Sequence, residues 1–202
     1  MWPVSAHKVV VLFSGGIEST CLLYLFLMDG WLTYPVYVRS GYPWELFELE
    51  NAKSLWLYTK KLYRSAMPMR IIPSLNPELA DSRRHEKDLY IPLRNLSLLT
   101  SASIYALLKG IRHVAIGSLG LYPFPDNNPE YMQNLQKLIE VKLLTPFMGL
   151  HKHEVIRRFF NKVPLEKTLS CIKPKKHRDK IIPCGSCEKC KEREEAFKTL
   201  SL

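Results

Sequence analysis

The run Lys8-Val9-Val10-Val11-Leu12-Phe13 is continuously apolar and rich in β-branched residues, and Ser14-Gly15-Gly16 stops it at once. A strand with no apolar–polar alternation needs both of its faces covered, which places it inside a parallel sheet. Glu18-Ser19-Thr20 then opens Cys21–Met28, a run long and apolar enough for a buried helix. Strand, glycine turn and helix start commit this end of the chain to a βα unit. The same arrangement aims backbone N–H groups beyond the strand end, where a phosphate is well received. Two glycines permit positive φ and keep Cβ atoms out of an anion's path. The hydroxyls of Ser14 and Ser19 add donors. A Gly-Gly pair alone would be an ordinary turn. The stretch is neither a Walker loop nor the G-x-G-x-x-G dinucleotide fingerprint.

The strand–helix alternation continues. Thr33–Arg39 reads as a second strand, with Ser40–Pro43 as a turn, and Trp44–Arg64 as a long amphipathic helix. Met69–Pro73 is a short third strand, and residues 76–90 form a polar, charged excursion. Asn95–Lys109 is helical, with Asn95 as its N-cap. Arg112–Ile116 is a fourth strand, 117–129 a Gly/Pro/Asn-rich loop, and Glu130–Ile139 a helix. Val141–Leu144 is a fifth strand and His151–Asn161 a further helix. Such alternation predicts an α/β fold: a doubly wound, five-stranded, mainly parallel sheet with helices on both faces. Ligands of such sheets bind beyond the carboxyl ends of the strands, where Ser14 lies.

Four of the five cysteines crowd the last quarter: Cys171, Cys184, Cys187 and Cys190, spaced C-x12-C-x2-C-x2-C. Close packing of the last three argues against disulfides. Two C-x2-C steps suit tetrahedral thiolate ligation of one zinc ion, with the distant cysteine closing the site. Four thiolates can also hold an iron–sulfur cluster, though spacing and ligand type favour zinc. A four-thiolate zinc site has no open position, so its role is structural. Lys175, Lys176, Lys189 and Lys191 are placed to offset its net negative charge. Cys21, alone in an apolar run, reads as a buried small hydrophobe. His151, His153 and His177 read as exposed histidines, because the four cysteines already complete one metal site.

The 202-residue chain carries a formal charge of +10, and residues 151–202 contain 14 Lys/Arg against 7 Asp/Glu. That field suits a polyanion such as ATP or a nucleic acid, or equally a solvated basic surface. No stretch reaches the ~20 apolar residues of a membrane span, and no secretory signal is evident, so a cytoplasmic location without membrane contact is expected.

Ser14-Gly15-Gly16-Ile17-Glu18-Ser19 resembles the S-G-G-x-D-S loop of the PP-loop ATP pyrophosphatase superfamily, with Glu18 in place of Asp. The wider chain resembles the 7-cyano-7-deazaguanine synthase (QueC) family of that superfamily. Leu93-Arg94-Asn95 is similar to the family's G-R-N segment, with Leu93 in place of Gly, and Pro125-Asp126 to its Pro-Asp loop. Thr145-Pro146, Lys152 and Glu154 resemble T-P-L followed by K-x-E. The tail from Thr168-Leu169-Ser170-Cys171 to Cys184-Gly185-Ser186-Cys187-Glu188-Lys189-Cys190-Lys191-Glu192-Arg193 resembles T-x-x-C with C-G-x-C-x-x-C-x-x-R. Arg39 stands where the family has aspartate, and Asn127-Asn128-Pro129 where an arginine follows the Pro-Asp pair.

The resemblance implies a PP-loop, HUP-like ATP-binding domain over residues 1–165 and a zinc-binding C-terminal segment over 166–202. It implies that a carboxylate, 7-carboxy-7-deazaguanine, is adenylated by ATP with Mg2+ and converted with ammonia to the amide and nitrile. Ser14, Gly15, Gly16, Glu18, Ser19 and Thr20 would form the pyrophosphate loop. Arg94 and Lys152 would be cationic clamps, and Asp126 would orient a base or the metal. A homodimer is implied. A protein amine as acceptor, a tRNA-modifying enzyme, and a nucleotide-binding module without turnover are the other readings weighed.

Overall fold

The computed structural model describes residues 7–73, 91–122, 124–178 and 180–200; the excursion expected over 76–90 lies outside them. Five strands, β1 (Lys8–Leu12), β2 (Leu32–Val38), β3 (Arg70–Ile72), β4 (His113–Ala115) and β5 (Lys142–Leu144), form one sheet in the order β3-β2-β1-β4-β5. Every pairing in it is parallel. The unbroken apolar run of β1 is explained by this position: Val9, Val10 and Val11 are fully buried in the central strand. Burial of each is worth about 1.5–3 kcal/mol.

Alternate side chains of β1 enter different cores. Val9, Val11 and Phe13 pack with helices α1 (Ile17–Met28) and α2 (Glu45–Leu62). Val10 and Leu12 pack on the other face with α3 (Arg94–Leu108) and α4 (Pro129–Gln136). Helix α5 (Lys152–Phe159) joins the first core through Val155, Ile156 and Phe159. The tail folds into an antiparallel hairpin of β6 (Lys175–His177) and β7 (Lys180–Ile182), followed by α6 (Glu188–Lys198). Cys21 is fully buried in the first core. No helix among the described residues is long and apolar enough to cross a membrane.

The chain runs outward from β1 to β3, then crosses to β4 on the other side of β1. A crevice therefore opens at the carboxyl ends of β1 and β4, where the strand order reverses. Its walls meet closely at Gly117, where a Cβ would lie 3.0 Å from the Glu18 carbonyl carbon. Only glycine lets the loop after β4 rest against the start of α1.

One capping expectation is corrected. Asn95 is not the N-cap of α3; Leu93 is, in the left-handed region at φ 58°. Asn95 lies within the first turn, and its backbone N–H donates to Asp126 Oδ2 at 2.8 Å. Its side-chain amide donates to the Asp126 carbonyl at 2.8 Å. An open N–H of the helix start is thus satisfied by a carboxylate 31 residues further on. The helix expected over 130–139 ends at Gln136, whose side-chain amide serves Val141 O and Leu143 N–H instead.

Candidate active site and metal centre

The crevice is a cleft of about 320 Å³ whose walls include Ser14, Gly16, Glu18, Ser19, Arg94, Lys152 and Lys189. It extends to Leu169, Ser170 and Cys171 at the metal-centre side and to Tyr42, Trp44 and Glu48 at the other. One end of it is built by the turn after β1. Gly15 takes φ +78°, and a Cβ there would lie 3.1 Å from the Ala52 Cα on α2. Both the conformation and the space therefore demand glycine. Ser14 Oγ and Ser19 Oγ lie 3.1 Å apart, and the Ser14 N–H donates to Ser19 Oγ at 3.3 Å. The Thr20 hydroxyl is fully buried and donates to the Gly16 carbonyl at 2.7 Å, so its place is beneath the turn.

Lys152, the first residue of α5, is 8% exposed and pairs with two carboxylates, Glu18 and Glu192, each at 3.0 Å. Glu192 also accepts from the Tyr122 hydroxyl and pairs with Lys189 at 3.4 Å. The Lys189 ammonium lies 4.7 Å over the Tyr122 ring. Burial, then the charge of Lys152, pulls Lys189 down to about 8. Despite its two ammonium neighbours, burial and then Glu18 push Glu192 up to about 7.

Arg94 lines the cleft and lies 5.6 Å over the Tyr42 ring, which stacks on Trp44 at 4.3 Å. Its buried Nε has no hydrogen-bond partner among the described residues. Glu48 accepts from the Tyr37 hydroxyl at 2.8 Å, and burial raises its pKa above the ordinary carboxylate range. Asp126 is buried behind this wall as the partner of Asn95, and its neighbour Asn127, which lines the cleft, accepts from Ser118.

The positions where the chain departs from the family pattern have local explanations. Arg39 pairs with the buried Glu45 at 3.0 Å, and Glu45 also accepts the Ser40 and Gly41 N–H groups, closing the turn after β2. Asn128 caps α4 by accepting the Tyr131 N–H at 2.8 Å. Glu18 is the partner of Lys152.

The sulfur atoms of Cys171, Cys184, Cys187 and Cys190 all lie within 4.8 Å of one another. Cys184–Cys190 and Cys187–Cys171 are each 4.0 Å apart. A tetrahedron of zinc–sulfur bonds near 2.3 Å has edges of about 3.8 Å, so the four thiols fit one ion. Backbone N–H groups already serve the sulfurs: Cys184 and Lys173 donate to Cys171, and Cys187 to Cys184. Backbone donation from Ser186 leads in holding the Cys184 thiol down to about 6, whereas burial pushes Cys190 up to about 12. Two of the lysines expected to offset the cluster are engaged elsewhere, Lys176 with Glu50 at 2.7 Å and Lys189 with Glu192. His151 and His153 stack on each other at the start of α5, and His177 is exposed in the hairpin.

The tail is fastened to the turn after β1. The Leu169 N–H donates to the Gly15 carbonyl at 3.0 Å. Arg193 donates to the Leu165 carbonyl at 2.7 Å and to Thr168 Oγ1 at 2.5 Å. Of the expected site residues, Ser14, Gly16, Glu18, Ser19, Arg94 and Lys152 line one cleft, and the four cysteines cluster. Tyr42, Glu48 and Tyr122 line the cleft with no signal in the sequence to mark them, Lys189, expected at the metal, lines it too, and Glu192 stands behind Lys152 as its partner. The spacing of Lys189 and Glu192 about Cys190 marks them as tail residues, but only the folded tail turns Lys189 into the cleft and Glu192 onto Lys152.

The sequence model of the family described as "Queuosine biosynthesis protein QueC" matches residues 8–201. A 7-cyano-7-deazaguanine synthase of Methanosphaerula palustris is 28% identical, with 96% of each chain covered. One of Methanoculleus marisnigri is 30% identical, again with 96% of each covered. Among solved structures, a 4-thiouridine synthetase–RNA complex with bound ATP aligns over 96% of this chain and 54% of its own, with 18% identity and a TM-score of 0.55. The tRNA thiolase NcsA of Methanococcus maripaludis, with its iron–sulfur cluster, aligns over 96% of this chain and 65% of its own, with 15% identity and a TM-score of 0.53. These two share the PP-loop fold. A match this complete, on a chain that also carries the loop and the four-cysteine tail, places the protein in the QueC family.

Proposed function

We propose that this chain is an ATP-dependent carbon–nitrogen ligase that converts 7-carboxy-7-deazaguanine to the amide and nitrile. The observation that carries the reading is the Ser14–Ser19 turn at the carboxyl end of the central strand, with Lys152 lining the same cleft. The substrate carboxylate attacks the α-phosphorus of ATP, the bond to the β-phosphate oxygen breaks, and pyrophosphate leaves. Ammonia adds to the acyl carbon of the adenylate, AMP departs, and the amide results after proton loss. Attack of the amide oxygen on the α-phosphorus of a second ATP expels a second pyrophosphate, and loss of AMP with both amide protons gives the nitrile.

Catalysis here is positioning and charge stabilisation. The N–H groups of the loop and the hydroxyls of Ser14 and Ser19 hold the departing pyrophosphate, and Thr20 braces the turn from below. Lys152 takes up charge as it develops on the leaving group. Arg94, with its unsatisfied Nε, binds the substrate carboxylate on the opposite wall. Asp126 fixes that wall through α3. Magnesium, when bound, supplies charge neutralisation on the phosphates, and Glu18 is the cleft carboxylate beside the loop that would hold it.

The metal of the tail is one structural zinc, a reading supported by sulfurs close enough for a single ion. Residues 1–165 act as the ATP-binding domain and 166–202 as the metal-binding segment. The enzyme works as a homodimer in the cytoplasm. Purified protein given ATP, magnesium, ammonia and 7-carboxy-7-deazaguanine should release pyrophosphate and AMP, with the nitrile seen by mass spectrometry. No pyrophosphate release under these conditions refutes the reading.

A further inference from the structure

We infer that Glu192, on the helix that carries Cys190, is a positioning residue for Lys152 in the pyrophosphate site. The role rests on the ligase reading above, but its geometry stands on its own. Lys152 is 8% exposed and begins α5. A cation at a helix N-terminus meets the positive end of the helix dipole, so its burial there needs more counter-charge than usual. Two carboxylates provide it: Glu18 from α1 and Glu192 from α6, both at 3.0 Å.

An ammonium has three N–H donors. Two directed at fixed carboxylates leave the third with one orientation, toward an incoming phosphate oxygen. With Glu18 alone, the ammonium would rotate and its butyl stem would swing. Glu192 is itself held, by the Tyr122 hydroxyl and by Lys189. The helix under it is held by Arg193, which grips Leu165 and Thr168. The C-terminal segment thereby contributes a side chain to the ATP site as well as a metal centre.

The kinetic signature differs from that of a bystander. Removing a negative charge beside a phosphate site favours ATP binding by simple Coulomb attraction. A bystander at 192 would therefore lower KM for ATP and leave kcat alone. A positioning residue lowers kcat, because the misplaced lysine no longer meets the charge of the transition state. Glu192→Gln is expected to reduce kcat about tenfold with KM for ATP unchanged or lower, and Glu192→Asp to recover part of that loss. Bound metal should match that of the wild type, while the thermal midpoint falls, because the buried Lys152 loses one of its two partners.

A second reading needs no turnover. In 15N-lysine NMR the wild-type Lys152 ammonium should give a slowly exchanging signal, assigned by its loss in Lys152→Met, and Glu192→Gln should broaden it away. A kcat within twofold of wild type, or an unchanged ammonium signal, overturns the inference. If Glu192→Gln does not fold, Glu192→Asp decides by the same two measurements. If the wild type releases no pyrophosphate with the deazaguanine carboxylate, the substrate reading fails while the ammonium signal still decides on Glu192.

Discussion

Gly15→Ala tests the Ser14–Ser19 turn most directly, because the structure assigns it two separable penalties. The first is conformational. Gly15 sits at φ +78°, and the left-handed region costs a non-glycine residue about 1–2 kcal/mol. The second is steric. The new Cβ would stand 3.1 Å from Ala52 Cα and 3.3 Å from Ala52 Cβ and N. Overpacking of this kind costs about 1–3 kcal/mol. Against them stands about 0.4–1 kcal/mol gained by restricting the unfolded chain. The net expectation is a loss of about 2–4 kcal/mol, a large share of the about 5–15 kcal/mol that holds a typical domain. Gly30→Ala is the control. Gly30 has the same φ of +78°, and a methyl group added there would meet nothing within 4 Å, so it isolates the conformational part, about 1 kcal/mol net. Urea denaturation of the three proteins gives the comparison, with pyrophosphate release as a second reading. Gly15→Ala should exceed Gly30→Ala by about 1–3 kcal/mol and lose turnover, while Gly30→Ala keeps it. Equal losses in the two variants would show that α2 does not press on the turn, and the steric penalty at Gly15 would be refuted.

Glu48 gives a pH prediction. Burial raises its pKa above the ordinary carboxylate value of 4.5, so the folded state binds more protons than the unfolded one above that pH, and stability declines as pH rises through the interval. Glu48→Gln cannot ionise, so its advantage over wild type in thermal midpoint should grow from pH 4.5 upward; parallel profiles refute this. Leu93, left-handed at φ 58° and 58% exposed, should tolerate glycine, because about 1–2 kcal/mol of strain is relieved. Leu93→Gly is thus expected at or above the wild-type midpoint and Leu93→Val below it, and the reverse order counts against the cap geometry. Metal analysis should find one zinc per chain, lost in Cys171→Ala; iron with acid-labile sulfide would overturn the single-ion reading.

The strongest local signals were legible in the chain as written. β1 is a short apolar run that Ser-Gly-Gly cuts off, and no other element suits it than a covered central strand. The four cysteines carry their ligand geometry in their spacing. The helix starts were less legible, because the partners of open N–H groups can come from far along the chain. Asn95 looked like a cap and instead receives one from Asp126. Asp126, expected to orient a base or the metal, is buried, and one of its oxygens accepts that N–H.

Sequence alone determined where the donors, glycines and thiols stand along the chain: they follow from residue type and local spacing, and such properties need no distant partner. Tertiary structure decided which charges meet. Glu18, Lys152 and Glu192 lie far apart in the chain and share one ion-pair network only because α1, α5 and α6 converge at the sheet's carboxyl edge. Coulomb interactions depend on separation in space and on burial, and neither is written in the order of residues.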